Sequence, residues 1–436
     1  MRIRKVFWFA FGLIAFSLLM TWYSGNYSSF SQSRNFFLRL TVLGSLFIII
    51  NWIWTLTSIK KLSLFRNQRL LRLQVGNVFE EGFEVINSLR YSRLWIEIED
   101  MSNLSGISGS KVLSGLGGKK NRYYISRTIL TKRGSFNLGP TLLRSGDPFG
   151  MFTTEKLVAS EAQLLVLPYI ETISKFTEPP GFIQGGRAIT RKSLEATSFA
   201  SGVREYQSGD PLNRIHWKSS AKRDKFMVKE FDQDPQADIW IIIDGYEESN
   251  SHQIIEEEIQ FADTFWALKQ KSSFKLSKST FEYAISISAS LASYYIKAEK
   301  AVGVACADSV MTVIPTEKGG RQLGKILETM AFFEGKGKMP INEVIESLGY
   351  QIIRGSTVVI VSSTDSTNIQ LCIEILLRRK LKPVIIQINR ETFETSSQDP
   401  VSWENNNIPG IIVNYGDSIS SCLQSITQYD PSVIRI

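Results

Sequence analysis

The chain has 436 residues, enough for two or three domains, and its 43% hydrophobic and 21% charged residues are typical of a globular protein. Its formal net charge of +8 is concentrated at one end, because residues 1–79 hold ten of the 50 basic residues and no acidic residue. The rest of the chain carries 40 basic against 42 acidic residues, a balance that argues against nucleic acid as a partner.

Two uncharged stretches near the N-terminus predict a transmembrane hairpin within residues 1–62. Val6–Tyr23 has 18 residues without a charge and Leu40–Ile59 has 20, and either can cross a hydrocarbon core of about 30 Å as a helix. A cleaved signal peptide is the alternative for the first stretch. It is disfavoured because bulky Trp22 and Tyr23 stand where small residues normally precede a cleavage site.

Basic residues on both sides of the hairpin predict its orientation. Arg2, Arg4 and Lys5 precede the first span, whereas the connecting loop offers Arg34, with Arg39 at the membrane edge. The positive-inside rule therefore predicts a two-pass protein of the cell (inner) membrane with the bulk of the chain in the cytoplasm. The basic residues after the second span are Lys60, Lys61, Arg66, Arg69 and Arg72.

Residues 63–170 are predicted to form a small antiparallel β-sandwich. Leu94, Ile96 and Ile98 alternate with outward-facing neighbours, as in a half-buried strand. The Gly- and Ser-rich stretch Met101–Lys120 is interpreted as a loop. Further strands are predicted at Asn121–Leu130, Gly134–Leu143 and Leu164–Leu167.

Residues 236–436 are predicted to form a doubly wound α/β domain. Ile239–Ile243 is a continuous apolar run that ends at Asp244, as in a buried strand of a parallel sheet. Strand and helix patterns then alternate, which is typical of βα units. The further strands are Val302–Cys306, Met311–Ile314, Thr357–Val361, Pro383–Ile388 and Gly410–Val413, and the helices are Phe281–Lys297, Gly320–Phe333, Asn368–Arg379 and Ser418–Gln428.

The three cysteines do not indicate a metal site. Cys306, Cys372 and Cys422 lie far apart, and none has a cysteine or histidine partner at zinc-binding spacing. We interpret them as free thiols in a reducing compartment, which agrees with a cytoplasmic position.

Residues 171–235 link the two predicted domains and contain the most distinctive segment of the chain, Arg204–Phe231. This signature segment combines charges of both signs, large aromatic side chains and a Gly-Asp-Pro turn. Its candidate interaction residues are Arg204, Glu205, Tyr206, Gly209, Asp210, Arg214, His216, Trp217, Lys218, Lys222 and Arg223.

Two interpretations of the signature segment remain open. In the first it is a structural clasp, in which Glu205 and Asp210 pair with basic neighbours. Tyr206 and Trp217 then pack on the α/β core, and Gly209 forms part of the turn. In the second, exposed basic side chains dock a partner's carboxylates or phosphates, or anionic lipid. These basic residues are Arg204, Arg214, Lys218, Lys222 and Arg223.

The signature segment resembles that of the family called domain of unknown function 58. Arg133–Pro140 and the turn Asp147–Phe152 are similar to two further motifs of this family. The resemblance implies a membrane-anchored protein with a von Willebrand factor A-like domain. It also implies association with MoxR-type AAA+ ATPases and transglutaminase-like membrane proteins. On this basis we expect a non-enzymatic, membrane-tethered scaffold or adaptor that works with such an ATPase in protein assembly or maturation.

The residues after Asp244 bear on cofactors. Von Willebrand factor A domains bind Mg²⁺ through an Asp-x-Ser-x-Ser pattern, because this ion prefers hard oxygen ligands. Here Tyr246 and Glu248 replace the two serines, so we expect no metal or other cofactor and interpret Asp244 as a cap for the following loop. The alternative function is a metal- or phosphate-dependent enzyme that uses Asp244 and the basic signature segment.

Two other patterns fall short of known catalytic or nucleotide-binding motifs. Gly319–Ile326 nearly matches a phosphate loop, but Ile326 stands where a hydroxyl is needed and the same stretch is predicted to be helical. The chain has two histidines, His216 and His252, and no Gly-x-Ser-x-Gly elbow. We therefore assign no catalytic residue and expect His216 to make a structural hydrogen bond.

Overall fold

The computed structural model describes residues 1–26, 31–68, 70–104, 109–160, 162–176, 202–207, 215–230, 238–251, 275–394 and 408–426. The chain forms two compact units. The first is built mainly from Met1–Tyr169 and the second mainly from Ile170–Gln253, Lys278–Ile326 and Phe333–Ile436. The predicted mixed α/β class and the two long apolar helices at the N-terminus are confirmed.

The first unit begins with the helix pair α1 (Lys5–Asn26) and α2 (Ser31–Ser58), followed by a set of β-strands. Both helices are long and apolar enough to cross a membrane. The strands are β1 (Arg2–Ile3), β2 (Leu62–Gln68), β3 (Arg72–Gln74), β4 (Val78–Asn87), β5 (Arg93–Asp100), β6 (Lys111–Leu116), β7 (Asn121–Ile129), β8 (Gly134–Asn137), β9 (Thr141–Gly146), β10 (Phe152–Val158) and β11 (Gln163–Leu167).

Small and polar residues hold α1 against α2. The Ser17 hydroxyl donates to the carbonyl of Phe37 at 2.9 Å and lies 3.0 Å from the Thr41 hydroxyl. Gly44 permits a close approach, because a Cβ there would lie 2.8 Å from a side-chain carbon of Ile14. Such contacts between small residues are the usual means by which helices associate in lipid.

The sheets of the first unit pack around two apolar clusters. Sheet β1-β10-β9-β5-β6 and sheet β2-β4-β7 are antiparallel and share one cluster, whereas sheet β3-β11-β8 has its own. The shared cluster contains Leu62, Leu64, Phe83, Val85, Ile96, Ile98, Leu113, Leu116, Tyr124 and Leu143.

Two strand predictions in this unit were wrong in detail. The predicted strand Gly134–Leu143 is interrupted at Gly139, whose φ is +101°, and its halves β8 and β9 belong to different sheets. Pro140 lacks the N–H that a continuous ladder needs there. The predicted loop Met101–Lys120 contains strand β6, which pairs with β5.

Arg66, counted above among the basic residues that follow the second span, has two carboxylate partners within the first unit. Its side chain is buried, with Nε 2.7 Å from Glu81 and Nη1 2.9 Å from Asp100. Burial alone lowers the pKa of Arg66, but the two carboxylates outweigh burial and raise it. Its charge is therefore neutralised inside the unit.

The second unit contains a small hairpin with a short helix, then a larger sheet with its helices. The sheet has the order β16-β15-β14-β17-β18-β19 and is parallel except for β16. The strands are β12 (Gly202–Glu205), β13 (Met227–Glu230), β14 (Ile239–Ile243), β15 (Val302–Ala307), β16 (Met311–Glu317), β17 (Thr357–Ser362), β18 (Lys382–Ile388) and β19 (Gly410–Val413). The helices are α3 (Trp217–Arg223), α4 (Thr280–Lys297), α5 (Gly320–Ala331), α6 (Ile341–Leu348), α7 (Ser366–Arg378) and α8 (Ile419–Ser425).

The central strands of this sheet are buried throughout, which explains their continuous apolar sequences. Alternate residues of β14 and β17, such as Trp240, Ile242 and Ile360, join α6 and α7 in one apolar cluster. Helix α4 contacts β14, β15, β17 and β18. Because β14 and β17 are parallel neighbours, their carboxyl ends meet at one edge of the sheet, where Asp244 and Ser362 lie.

Candidate functional site

The signature segment folds around a two-stranded hairpin. Strand β12 pairs antiparallel with β13, and Ile215 forms an isolated bridge to Val228. Ile215, Met227 and Val228 are buried and supply the apolar support of this small element. Helix α3 lies between its two halves in sequence and is joined to β13 by Ser220, whose hydroxyl accepts the Met227 N–H at 2.9 Å.

His216 has the structural role that the sequence predicts. It is the N-cap of α3: its Nδ1 accepts the Ser219 N–H at 3.2 Å and lies 2.7 Å from the Ser219 hydroxyl. An acceptor at this position satisfies one of the N–H groups that a helix start leaves unpaired. The ring therefore fixes where α3 begins.

The expected packing of Trp217 on the α/β core is wrong. Its side chain is 66% exposed and its ring is 6.3 Å from that of Phe226, which is 58% exposed. Trp217 is the first residue of this short helix, whose buried residue is Ser220, and its large ring is left accessible to solvent. Tyr206 is only partly buried, and its ring is also 6.3 Å from that of Phe226.

Basic side chains accompany these exposed rings. Lys218, Lys222 and Arg223 are exposed on α3. We call Trp217, Lys218, Lys222, Arg223 and Phe226 the aromatic–basic face. Large exposed aromatic residues beside basic ones are typical of protein interaction surfaces.

The predicted charge pairs of the clasp are described only in part. The Glu205 carboxylate accepts a hydrogen bond from Lys225 at 3.1 Å, a residue outside the predicted set. Arg204 lies on β12, and its side chain is outside the described part of the structure. Gly209, Asp210 and Arg214 are outside the described residues altogether.

The carboxylate of Asp244 is buried at the end of β14, where it organises the strand-end loops. Its Oδ2 accepts the hydroxyls of Ser362 at 2.5 Å and Ser249 at 3.0 Å, and its Oδ1 accepts the Tyr246 N–H at 3.1 Å. The last of these contacts is the capping role expected for Asp244. Neither serine partner was predicted. Ser362 lies 118 residues farther along the chain, and the contact of nearby Ser249 depends on how the loop after β14 folds back.

A second layer of hydrogen bonds surrounds this carboxylate. The Ser363 hydroxyl donates to the carbonyl of Ser249 at 2.6 Å, and Asn250 donates to the carbonyl of Tyr246 at 2.8 Å. The Thr364 N–H donates to the Ser362 hydroxyl at 2.9 Å. The loops after β14 and β17 are thus tied to one another by polar side chains.

Burial dominates the electrostatics of this strand end. It raises the pKa of Asp244, and the hydrogen bonds from Ser362, Tyr246 and Ser249 only partly oppose this. Burial, reinforced by the Asp244 charge, also raises the pKa of the Cys372 thiol to about 12. A thiol with such a pKa stays protonated and unreactive near neutral pH.

The backbone is also tightly packed here. The Gly337 N–H donates to the Gly245 carbonyl at 2.7 Å. A Cβ at Gly337 would lie 2.1 Å from the Ala307 carbonyl oxygen, and one at Gly245 would lie 2.5 Å from the same atom. Both positions therefore require glycine, and the ends of β14 and β15 are in direct contact. Within the described residues, no three His, Cys, Asp or Glu side chains are grouped as metal ligands.

The near-match to a phosphate loop lies mostly in a helix. Gly320–Ala331 is helix α5, so Gly324 and Lys325 are helical as the sequence suggested. Lys325 pairs with Glu317 at 2.9 Å, and the buried Gln322 amide donates to the carbonyl of Val302. These residues have structural contacts in place of the open cradle that a phosphate loop forms.

Comparisons with known proteins identify a family and one distant relative. A family model described as "Protein of unknown function DUF58" matches residues 202–391. The "Uncharacterized protein YeaD" of Bacillus subtilis (strain 168) is 22% identical over 231 residues, which are 53% of this chain and 50% of that protein. The chain thus spans about half the length of this curated relative.

One solved structure shows a weak likeness. The CARDB domain of the PF1109 protein from Pyrococcus furiosus has 11% sequence identity and a TM-score of 0.18, covering 24% of this chain and 91% of that chain. A similarity at this level does not establish a shared fold.

Proposed function

Because the chain belongs to the DUF58 family of proteins of unknown function, we propose that it is a membrane-tethered scaffold or adaptor and not an enzyme. The observation that carries this proposal is the exposed aromatic–basic face within the family's own segment. A docking surface needs accessible aromatic and basic groups, and Trp217 with the cations of α3 supplies both.

The tether of this adaptor is the pair α1 and α2. Two helices of sufficient length and apolar character support membrane anchoring. The basic residues at their outer ends, such as Lys5 and Lys60, favour a cytoplasmic position for both units by the positive-inside rule. The proposed location is therefore the cytoplasmic side of the cell membrane.

The proposed partner is a MoxR-type AAA+ ATPase, with a transglutaminase-like membrane protein as a further component. This partnership rests on the family resemblance of the signature segment. The largely parallel sheet of the second unit is compatible with the von Willebrand factor A-like fold that the resemblance implies. In this scheme the adaptor holds the ATPase at the membrane during assembly or maturation of other proteins.

A charge reversal on α3 tests the proposal. Arg223→Glu should abolish co-purification of a co-expressed MoxR-type ATPase from detergent extracts, since it replaces an exposed donor of the aromatic–basic face. Arg378→Glu is the matched control, because Arg378 is likewise an exposed basic residue in the last turn of a helix, α7. Equal capture by the wild-type protein and both variants would contradict docking through this face.

A further inference from the structure

The turn Asp147–Gly150 of the first unit contacts the helix pair, although the scaffold function does not require it to. The ring of Phe149 lies 4.8 Å from that of Phe47 of α2, and Phe149 is nevertheless 58% exposed. The next strand continues the contact, since the ring of Phe152 lies 5.2 Å from that of Phe7 of α1. The turn is thus seated along the sides of both helices.

The strand that follows the turn is also hydrogen-bonded to the residues directly before α1. Strand β1, directly before α1, pairs with β10, and the Arg4 N–H donates to the carbonyl of Met151 at 3.0 Å. At the end of α2, the buried Arg93 guanidinium donates to the carbonyls of Thr57 and Lys60. The Arg93 bonds satisfy carbonyls at the C-terminus of α2. The bonds of Arg4 and of β1 to β10 set the position of the turn along α1.

The register of the helices gives the depth of Phe149. Gly44 of α2 faces Ile14 of α1, and the two helices run in opposite directions. Phe47, three residues after Gly44, is therefore level with about Phe11, three residues before Ile14. Phe11 is six residues beyond Lys5, so it lies roughly 9 Å along α1 from the first residue of that helix. A side chain at this level lies beyond the basic residues at the start of α1 and beside the apolar part of the two spans.

The backbone of the turn meets the requirement that lipid imposes. Asp147 is fully buried, and its carboxylate accepts the N–H groups of Phe149, Met151 and Phe152 at 3.0, 3.1 and 2.6 Å. The indole of Trp95 donates to the carbonyl of Asp147 at 3.3 Å. A loop can enter a membrane boundary only when its own polar groups are satisfied in this way.

We propose that the turn Asp147–Gly150 is a membrane-embedded foot, with the Phe149 ring in contact with lipid at the boundary between headgroups and hydrocarbon. This inference rests on the membrane tether of the proposed function and adds a second lipid contact to it. Exposed Trp8, Trp52 and Trp54 lie near the same end of the helices and match an aromatic belt at that boundary. The foot would hold the first unit directly against the bilayer.

Spin-label accessibility in nanodiscs of phosphatidylcholine and phosphatidylglycerol tests this proposal on the full chain. Labels are attached at Phe149→Cys, with Pro148→Cys as a second site in the same exposed turn, in a Cys422→Ala background because the other two cysteines are buried. Leu43→Cys on the exposed side of α2 reports the tether. Ile125→Cys is the control for a position in water, because it lies away from the membrane helices. Ile125 pairs with Gly82, which is five residues along β4 from Asn87, the end of that strand next to α2.

The foot predicts that labels at residues 148 and 149 collide with oxygen severalfold more, relative to a water-soluble nickel chelate, than the label at residue 125. If the ratio of oxygen to nickel-chelate collisions were high, as in lipid, at residue 43 but low, as in water, at residues 148 and 149, the foot would be overturned and the tether would stand. A water-like value at residue 43 would overturn the tether and the foot together.

Discussion

The second unit places two polar regions in opposite physical situations. At the end of β14 the Asp244 carboxylate is buried, and both of its oxygens accept hydrogen bonds from the protein. On α3 the Trp217 ring and the neighbouring cations are exposed to solvent. At the strand end, where α/β proteins commonly bind ligands, the carboxylate joins loops here, and this contrast supports our proposal that a partner docks on the signature segment.

Loss of the Asp244 carboxylate should have the largest effect on stability. Asp244→Ala removes the acceptor of the buried Ser362 hydroxyl and one of the two acceptors of the Ser249 hydroxyl, which should cost about 3 kcal/mol of unfolding free energy. Urea denaturation of purified protein measures this. Asp244→Asn keeps the shape and one acceptor and should cost clearly less, so an equally small loss for both variants would contradict a structural role for the carboxylate.

The pH dependence of stability should show the burial of the same group. Because burial raises the folded-state pKa of Asp244, the protonated form favours folding. Its contribution is therefore fully present below the ordinary carboxyl pKa of about 3.9. It is lost as the pH rises through the folded-state pKa, at about 1.4 kcal/mol for each pH unit that separates the two values.

The difference in unfolding free energy between the wild-type protein and Asp244→Asn isolates this group, because other titrations cancel. The wild-type protein should lose stability relative to the variant as the pH is raised from acidic values. A difference that grows in favour of the wild-type protein with rising pH would show that the hydrogen bonds outweigh burial.

Loss of the His216 cap of α3, in the signature segment, should have an intermediate effect on stability. His216→Ala removes the acceptor for the Ser219 N–H and should lower stability by about 1 kcal/mol. His216→Asn should restore most of this, since Asn is a favoured N-cap residue. Thermal unfolding followed by circular dichroism distinguishes the two, and equal losses would show that the imidazole has a role other than capping.

Trp217→Ala should have the smallest effect on stability, within about 0.5 kcal/mol, because an exposed ring loses little on truncation. The same denaturant titration measures it, with the buried Met227 replaced by Ala as the contrasting variant. A loss for Trp217→Ala comparable to that for Met227→Ala would restore the clasp interpretation for this side chain.

The sequence predicted those elements whose signal is local. Ile239–Ile243 and Gly410–Val413 agree residue for residue with β14 and β19. The continuous apolar sequence of β14 is that of a fully buried parallel strand. Helix α6 was missed, although Ile341, Val344 and Leu348 have helical spacing and are buried. Its eight residues are too few to stand out without the neighbouring helix that covers them.

The candidate sites were less predictable because they depend on long-range pairing and on exposure. Ser362 meets Asp244 only because β17 lies beside β14, and no local pattern near Asp244 contains that information. For Trp217 the composition suggested a core residue, since large aromatic side chains are commonly buried. Its exposure depends on how α3 lies against the hairpin, and seven residues are too few for a sequence pattern to show this.

The most direct test of the account compares capture of a co-expressed MoxR-type ATPase by three folded proteins from detergent extracts: wild type, Asp244→Asn and Trp217→Ala. We expect Asp244→Asn to capture as much ATPase as the wild type, and Trp217→Ala to capture much less. Loss of capture by Asp244→Asn with full capture by Trp217→Ala would contradict it, because the strand end would then be the functional site.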